Sequence, residues 1–291
     1  MSGALLLSLC AAAPAAESTA PLSDAAAAGI GLWEGLLLGL VQGVTEFLPV
    51  SSSGHLAIGH LVWGGGGGEA ARAFDVAVHC ATLFAMMLYF RDDLVALLTK
   101  RPRLITLIVL GSVPAGLLGL LLHAQIEGLA ENAWAVGAFL MLNGLVLLTS
   151  RYFGVETKRL DDLRPSDSLM VGLAQALGLL PGVSRSGATI TGGLVSGLRR
   201  NEAFVFSFLL GMPLIAAATA WKLRDIGNLA ISTSWNGLVA GFAAAFVSGL
   251  VAAWVLARLV RQRNLLPFGI YTLVLGLLVI AVKLVRTIAG G

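Results

Sequence analysis

Charge is what this sequence has least of. Only 12% of its 291 residues are Asp, Glu, Lys or Arg, against about 25% in a soluble domain. With 57% hydrophobic residues and a mean hydropathy of +0.87, the chain reads as a polytopic membrane protein. The net charge of +3 is small and spread out, which excludes the concentrated basic face that nucleic acid requires. Cysteine is scarce as well. Cys10 and Cys80 are the only two, no Cys-x-x-Cys occurs, and two distant thiols make neither a zinc site nor a disulfide framework. There are four histidines, and none follows His123.

The first 29 residues lack any Lys or Arg ahead of their short apolar run. They read either as a signal segment with an Ala-x-Ala-like cleavage site or as a plain extension; the missing cation speaks against the signal. Leu7-Ser8-Leu9-Cys10 is a poor lipoprotein box, because the residue before the cysteine is large. Residues 30–291 are expected to form a single membrane domain.

What the sequence does have is long apolar runs. A full span takes about 20 residues, and six stretches qualify or come close: 73–90, 103–122, 133–150, 202–220, 236–257 and 266–288. Two more, 30–62 and 168–198, are interrupted near their middles, at Pro49-Val50-Ser51-Ser52-Ser53-Gly54 and at Pro181-Gly182-Val183-Ser184-Arg185-Ser186-Gly187. Arg91, Lys100, Arg101 and Arg103 lie between the first two spans. Arg151, Lys158, Arg159 and Arg164 follow the third, and Arg258, Arg261 and Arg263 separate the last two, whereas 123–132 holds no cation. The positive-inside rule puts the three basic loops in the cytoplasm. Lys222, Arg224, Lys283 and Arg286 fall on the outer side and are exceptions. With loop 151–167 and the start of the span at 202 both inside, 168–198 must enter and leave on the cytoplasmic side, as a re-entrant hairpin. By the same logic 30–62 enters from outside where the N-terminus is outside.

The interrupted stretches align without a gap at an offset of 133. Gly39 falls on Gly172, Gln42 on Gln175, Val50 on Val183, Ser51 on Ser184, Ser53 on Ser186, Gly54 on Gly187 and Gly59 on Gly192. The spans follow in the same order. Each repeat, about 30–150 and about 168–288, is one hairpin plus three crossings, so the two halves are expected to be inverted, with their broken helices meeting near the midplane to form a site. The expected fold class is therefore an all-α polytopic membrane protein with inverted-topology repeats, six full transmembrane helices and two re-entrant helical hairpins.

A half-helix that begins inside the membrane leaves N–H groups unpaired and favours an anion. Ser53-Gly54-His55 and Ser186-Gly187-Ala188 are placed to open two such half-helices. Arg185 costs at least about 2.5–3.5 kcal/mol in a membrane. It is tolerable facing an anion, since its planar fork suits phosphate oxygens, or paired with Glu46 as a structural bridge. Glu46 and Gln42 share one helix face at i, i+4. Beside a bound pyrophosphate the Glu46 carboxylate calls for a divalent cation or a proton-transfer role; capping the backbone near Pro49 is the bland reading. His55 is suited to act as acid, base or nucleophile, or as a hydrogen-bonded core residue. Attack on phosphorus would come from Ser52 assisted by His55, or from His55 itself. Asp75 and His79, at i, i+4, are expected to satisfy each other rather than bind metal. His60 and His123 read as interfacial. Gly64–Gly68 is a loop and not a phosphate cradle, since no Lys or Thr follows.

"LVQGVTEFLPVSSSGH" and "LLPGVSRSGATITGG" resemble the two signatures of the undecaprenyl-pyrophosphate phosphatases, also called bacitracin-resistance proteins, over nearly the whole chain from about residue 30. The resemblance implies a multi-pass inner-membrane hydrolase whose active site opens toward the outer, periplasmic face. It removes the terminal phosphate of a C55 isoprenyl pyrophosphate and returns the monophosphate carrier to peptidoglycan synthesis. It also implies a divalent cation, Mg²⁺ or Ca²⁺. Carried over by position, Glu46, Ser52, His55 and Arg185 are catalytic, with Glu46 also the metal ligand. Gln42, Ser51, Ser53, Gly54, Ser184, Ser186, Gly187 and Thr189 bind substrate. Gln42 stands where many relatives have Glu, so Glu46 would be the single carboxylate on its face. The partners implied are the isoprenyl pyrophosphate and the bilayer, with no nucleic acid and with room for a homodimer. A transporter or flippase for a lipid phosphate is the rival class. A phosphatidic-acid-type phosphatase is excluded, because that family needs a histidine after the SRS-like element and this chain has none after Arg185.

Overall fold

The computed structural model describes residues 30–56, 69–130, 132–153, 157–225 and 234–289. The N-terminal 29 residues, His60 and Gly64–Gly68 lie outside the described residues. The elements are α1 (Leu32–Phe47), α2 (Glu69–Tyr89), α3 (Arg91–Thr99), α4 (Pro102–Leu121), α5 (His123–Ala130), α6 (Ala133–Thr149), α7 (Pro165–Leu177), α8 (Arg185–Val195), α9 (Arg200–Asp225), α10 (Trp235–Arg261) and α11 (Leu266–Ala289). No strand occurs among the described residues. The six expected spans correspond to six helices long and apolar enough to cross a membrane: Ala70–Tyr89, Pro102–Leu121, Ala133–Tyr152, Arg200–Leu223, Trp235–Arg261 and Leu266–Ala289. Their outward faces carry Leu, Val, Ile and Phe, as a lipid-facing surface must.

Local chemistry sets the helix ends that matter. Leu48 closes α1 in an extended conformation (φ −66, ψ 146), as expected of a residue that precedes a proline. Pro165 occupies the first turn of α7, where its missing N–H is harmless. Gly182 turns the chain between α7 and α8 with φ 109, and a Cβ there would stand 2.7 Å from the Val136 carbonyl. Only glycine meets both demands.

The helices exchange partners between the two sequence halves. α1 packs on α10, and α7 on α4; α6 pairs with α11, and α2 with α9. Glycines set the closest of these contacts. A Cβ at Gly35, Gly39 or Gly43 would strike the backbone of Gly237, Gly241 or Ala245 in turn. The α1 and α10 backbones therefore touch and run parallel, and the Ser248 hydroxyl fits between them at Gly43, 3.4 Å from the Leu40 carbonyl. Likewise a Cβ at Gly172 would strike Gly111, and Ser168 Oγ donates to the Leu107 carbonyl at 2.5 Å, so α7 runs parallel to α4. In α6 and α11 the order reverses, with Gly137 against Gly276 and Gly144 against Gly269.

The basic loops gather at one end of the bundle. Arg101 Nε lies 3.2 Å from Asp161 Oδ1, Arg103 donates to the carbonyls of Asp161 and Leu163, and Arg261 donates to Asn201 at the start of α9. Trp33, Trp134 and Trp235 are exposed where α1, α6 and α10 begin, and Trp221 near the end of α9, at the other end. That is the placement of an interfacial aromatic belt. Both limbs of the α7–α8 segment return to Lys158 at the basic end. Lys158 Nζ sits 2.8 Å from Asp167 Oδ1 at the start of α7, and the Lys158 backbone pairs with Gly197 and Arg199 just beyond α8.

Candidate active site

The end of α1, the turn after it and the start of α8 converge on one small polar cavity. It has a volume of about 60 Å³ and is lined by Thr45, Glu46, Ser51, Ser52, Ser53, Gly178, Val183, Ser184, Arg185 and Ser186. The parallel packing explains its depth. Gly43, one turn before the end of α1, lies against Ala245 and Ser248 in the middle of α10, and Gly172 of α7 lies against Gly111 in the middle of α4. The two turns thus meet halfway along the spans.

Glu46 is the hub. Its Oε1 accepts from Arg185 Nη2 at 3.0 Å. Its Oε2 accepts from Ser52 Oγ at 2.7 Å and from Gln42 Nε2 at 3.3 Å. The carboxylate and the guanidinium are 7% and 11% exposed, a burial that charges tolerate only when paired and hydrogen-bonded. Arg185 also lies over the Phe208 ring, 5.9 Å from its centroid. Phe208 stacks in turn on Phe47 and Phe90, so an aromatic cluster floors the site. Gly211 gives the guanidinium room, since any Cβ there would collide with Arg185 Nη1. That Nη1 is buried without a hydrogen-bond partner.

The two turns repeat a serine pattern. Ser51 Oγ is 3.5 Å from Ser53 Oγ, and Ser184 Oγ is 3.1 Å from Ser186 Oγ. Ser184 caps α8 by accepting from the Gly187 N–H, so the α8 N-terminus, with its dipole, opens at the cavity. Ser51 has φ 72, a left-handed conformation uncommon for a residue with a side chain; strain of this kind clusters at functional sites.

Of the twelve residues singled out from sequence, Glu46, Ser51, Ser52, Ser53, Ser184, Arg185 and Ser186 line the cavity. Gln42 reaches it through Glu46. Gly187 donates its backbone N–H to Ser184 Oγ and lets the turns approach: a Cβ there would stand 3.0 Å from Pro49 Cβ. Gly54 is not tightly packed: a Cβ there would meet only Ser51 Oγ, at 3.8 Å. Thr189 lies one turn deeper, donating to the Arg185 carbonyl at 2.8 Å and hydrogen-bonded to Ser207 of α9. The His55 ring is hydrogen-bonded to groups other than Ser52. Its Nδ1 is 2.7 Å from the Ser51 carbonyl and its Nε2 is 2.6 Å from Tyr271 Oη. The His79 ring meets the Asp75 backbone carbonyl, at 2.7 Å.

Two residues were missed in the sequence. Asn143 of α6, fully buried, ties the turns together: Nδ2 donates to the Pro49 carbonyl at 3.0 Å and Oδ1 accepts from the Ser184 N–H at 3.1 Å. A lone amide in the apolar run AWAVGAFLMLNGLVLL was the available signal. Tyr271, at the start of the last span, carried none.

Among the described residues no cluster of three His, Cys, Asp or Glu could hold a metal ion. The oxygens that could contribute are those of Glu46 and Gln42 Oε1, which is buried and unpartnered. Mg²⁺ is commonly held by one or two protein oxygens together with substrate phosphates, so this pair fits a cation completed by the ligand.

Known proteins resemble the chain over most of its length. The undecaprenyl-diphosphatase 1 of Pseudoalteromonas translucida (strain TAC 125) is 36% identical over 253 residues, covering 83% of this chain and 94% of that protein. An undecaprenyl-diphosphatase 2 of Frankia casuarinae is 38% identical over 273 residues, covering 84% and 92%. The undecaprenyl-diphosphatase of Hahella chejuensis is 38% identical over 254 residues, covering 83% and 94%. Residues 35–278, which carry both turns and all six spans but the end of the last, match the family described as bacitracin resistance protein BacA, and the chain belongs to that family.

Proposed function

We propose that this protein is an integral membrane phosphatase that hydrolyses undecaprenyl pyrophosphate to undecaprenyl phosphate and inorganic phosphate. The observation that carries the reading is the line Arg185–Glu46–Ser52, built from both sequence halves at mid-span depth. A binding site alone has no need of a serine hydroxyl hydrogen-bonded to a buried carboxylate. The names of the relatives point the same way.

In this reading the terminal phosphoryl group enters the cavity between the two turns. The α8 N-terminus, the serine hydroxyls and Arg185 neutralise its oxygens, which is where phosphoryl-transfer enzymes put most of their effort. Ser52 Oγ attacks the terminal phosphorus and passes its proton to Glu46 Oε2. The bond from phosphorus to the bridging oxygen breaks, and undecaprenyl phosphate leaves with the electron pair. Water then attacks the phosphoserine, releases phosphate and restores the Ser52 hydroxyl. A Mg²⁺ or Ca²⁺ ion, held by Glu46 and Gln42 and by the substrate, would supply further charge neutralisation at the pyrophosphate.

The architecture of this reading is an inverted repeat with two re-entrant hairpins. The partner exchange between halves and the return of both α7–α8 limbs to Lys158 support it. The protein then sits in the bacterial inner membrane with the site reached from the periplasmic face, recycles the lipid carrier for peptidoglycan synthesis and confers bacitracin resistance. Purified protein in detergent with Mg²⁺ is expected to release phosphate from undecaprenyl pyrophosphate. Binding of the lipid without turnover would favour transport.

A further inference from the structure

His55 is held at both ring nitrogens, and the holder on one side comes from the other sequence half. Its Nδ1 lies 2.7 Å from the Ser51 carbonyl. A carbonyl only accepts, so Nδ1 carries a proton, and in the neutral ring Nε2 then presents a lone pair. That lone pair faces Tyr271 Oη at 2.6 Å, and the hydroxyl must donate. The two rings are stacked, with centroids 5.7 Å apart and planes 20° apart. Tyr271 stands on α11, 216 residues further on.

The carbonyl at the other end of this chain belongs to Ser51, the residue with φ 72. Its neighbour Ser52 carries the hydroxyl bonded to Glu46. A left-handed serine is strained and persists only where its surroundings hold it. The Tyr271–His55 pair is such a hold. We propose that Tyr271 is a positioning residue that acts through His55: its hydroxyl fixes the Nδ1–H tautomer, His55 anchors the Ser51 carbonyl, and the anchored turn aims Ser52 at the substrate. The inference rests on the phosphatase reading for its kinetic consequence only.

With Nε2 occupied by Tyr271 and Nδ1 by the backbone, His55 has no lone pair left for phosphorus. Its contribution is to orient the turn. Tyr271→Phe keeps the stacked ring and removes only the donor, so the protein is expected to fold.

The test has two readings. The first is the imidazole ¹⁵N spectrum of histidine-labelled protein in detergent, with His55→Gln used to assign the His55 signals. Wild type is expected to show one His55 tautomer, protonated at Nδ1. In Tyr271→Phe the Nε2 signal moves and the second tautomer appears. A His55 spectrum unchanged by Tyr271→Phe overturns the proposal. The second reading is kinetic. Tyr271→Phe is expected to lower kcat about tenfold with KM nearly unchanged, and to add little in the His55→Gln background. An undiminished Tyr271→Phe effect in that background also overturns it. Where the double variant is too slow to time, the spectrum decides. If wild type releases no phosphate at all, the phosphatase reading fails, while the spectrum still tests the pair.

Discussion

Arg185 Nη2 stands 3.0 Å from Glu46 Oε1, although the two residues are 139 positions apart in sequence. Each lies beside the turn of its own half, and each is nearly buried. Removing one partner of a buried pair strands the other charge, at a cost of about 3–5 kcal/mol, whereas removing both with apolar replacements is often neutral. Arg185→Ala is expected to lose turnover by at least a hundredfold and to melt earlier in detergent. Arg185→Met with Glu46→Leu should regain the melting temperature without regaining activity. Wild-type turnover in folded Arg185→Ala would refute the site.

Asn143 closes the gap between the turns. In Asn143→Leu the Pro49 carbonyl and the Ser184 N–H are left unpaired in a dry interior, at about 1–3 kcal/mol for each. The expected outcome is a lower melting temperature together with a fall in turnover, because the cavity is shaped by both turns. A drop in stability with full activity would mean that the turns keep their spacing without the amide.

Much of this architecture was legible in the sequence. The six spans follow from apolar length, and the two interrupted stretches from Pro49 and Pro181 falling beside runs of serine and glycine; a proline alone is no such signal, since Pro114 and Pro213 lie inside α4 and α9. The partner exchange was not legible. That α1 seats on α10 depends on Gly39 meeting Gly241, and glycine is too common in these spans to point to its mate. The Glu46–Arg185 pair could be weighed, since both charges are costly in a membrane. The orientation of His55 could not, because its partner Tyr271 is an ordinary residue of a distant helix.

Glycine packing gives a contrast that separates space from propensity. Gly39→Val drives a side chain into the Gly241 backbone, and overpacking of this kind costs about 1–3 kcal/mol or more. Gly116, with no atom within 4 Å of a built Cβ, should accept Ala with a small gain, as helix-interior glycines do. Thermal melts in detergent check both. Equal effects at the two positions would argue against the close α1–α10 contact.

Cation dependence tests the Glu46–Gln42 pair. EDTA is expected to stop phosphate release, and Mg²⁺ or Ca²⁺ to restore it. Gln42→Ala, which deletes the unpartnered Oε1, should raise the Mg²⁺ concentration needed for half-maximal rate. Unchanged rates in chelator would remove the metal from the reading.

The most direct measurement is phosphate release from undecaprenyl pyrophosphate by the purified protein in detergent with Mg²⁺, comparing wild type with Glu46→Gln and Ser52→Ala. Release by wild type and its loss in both folded variants is the predicted result, since Ser52 Oγ and Glu46 Oε2 form the 2.7 Å contact on which attack depends. Release that persists in folded Ser52→Ala would contradict the account of the nucleophile. No release from folded wild type would contradict the hydrolase itself.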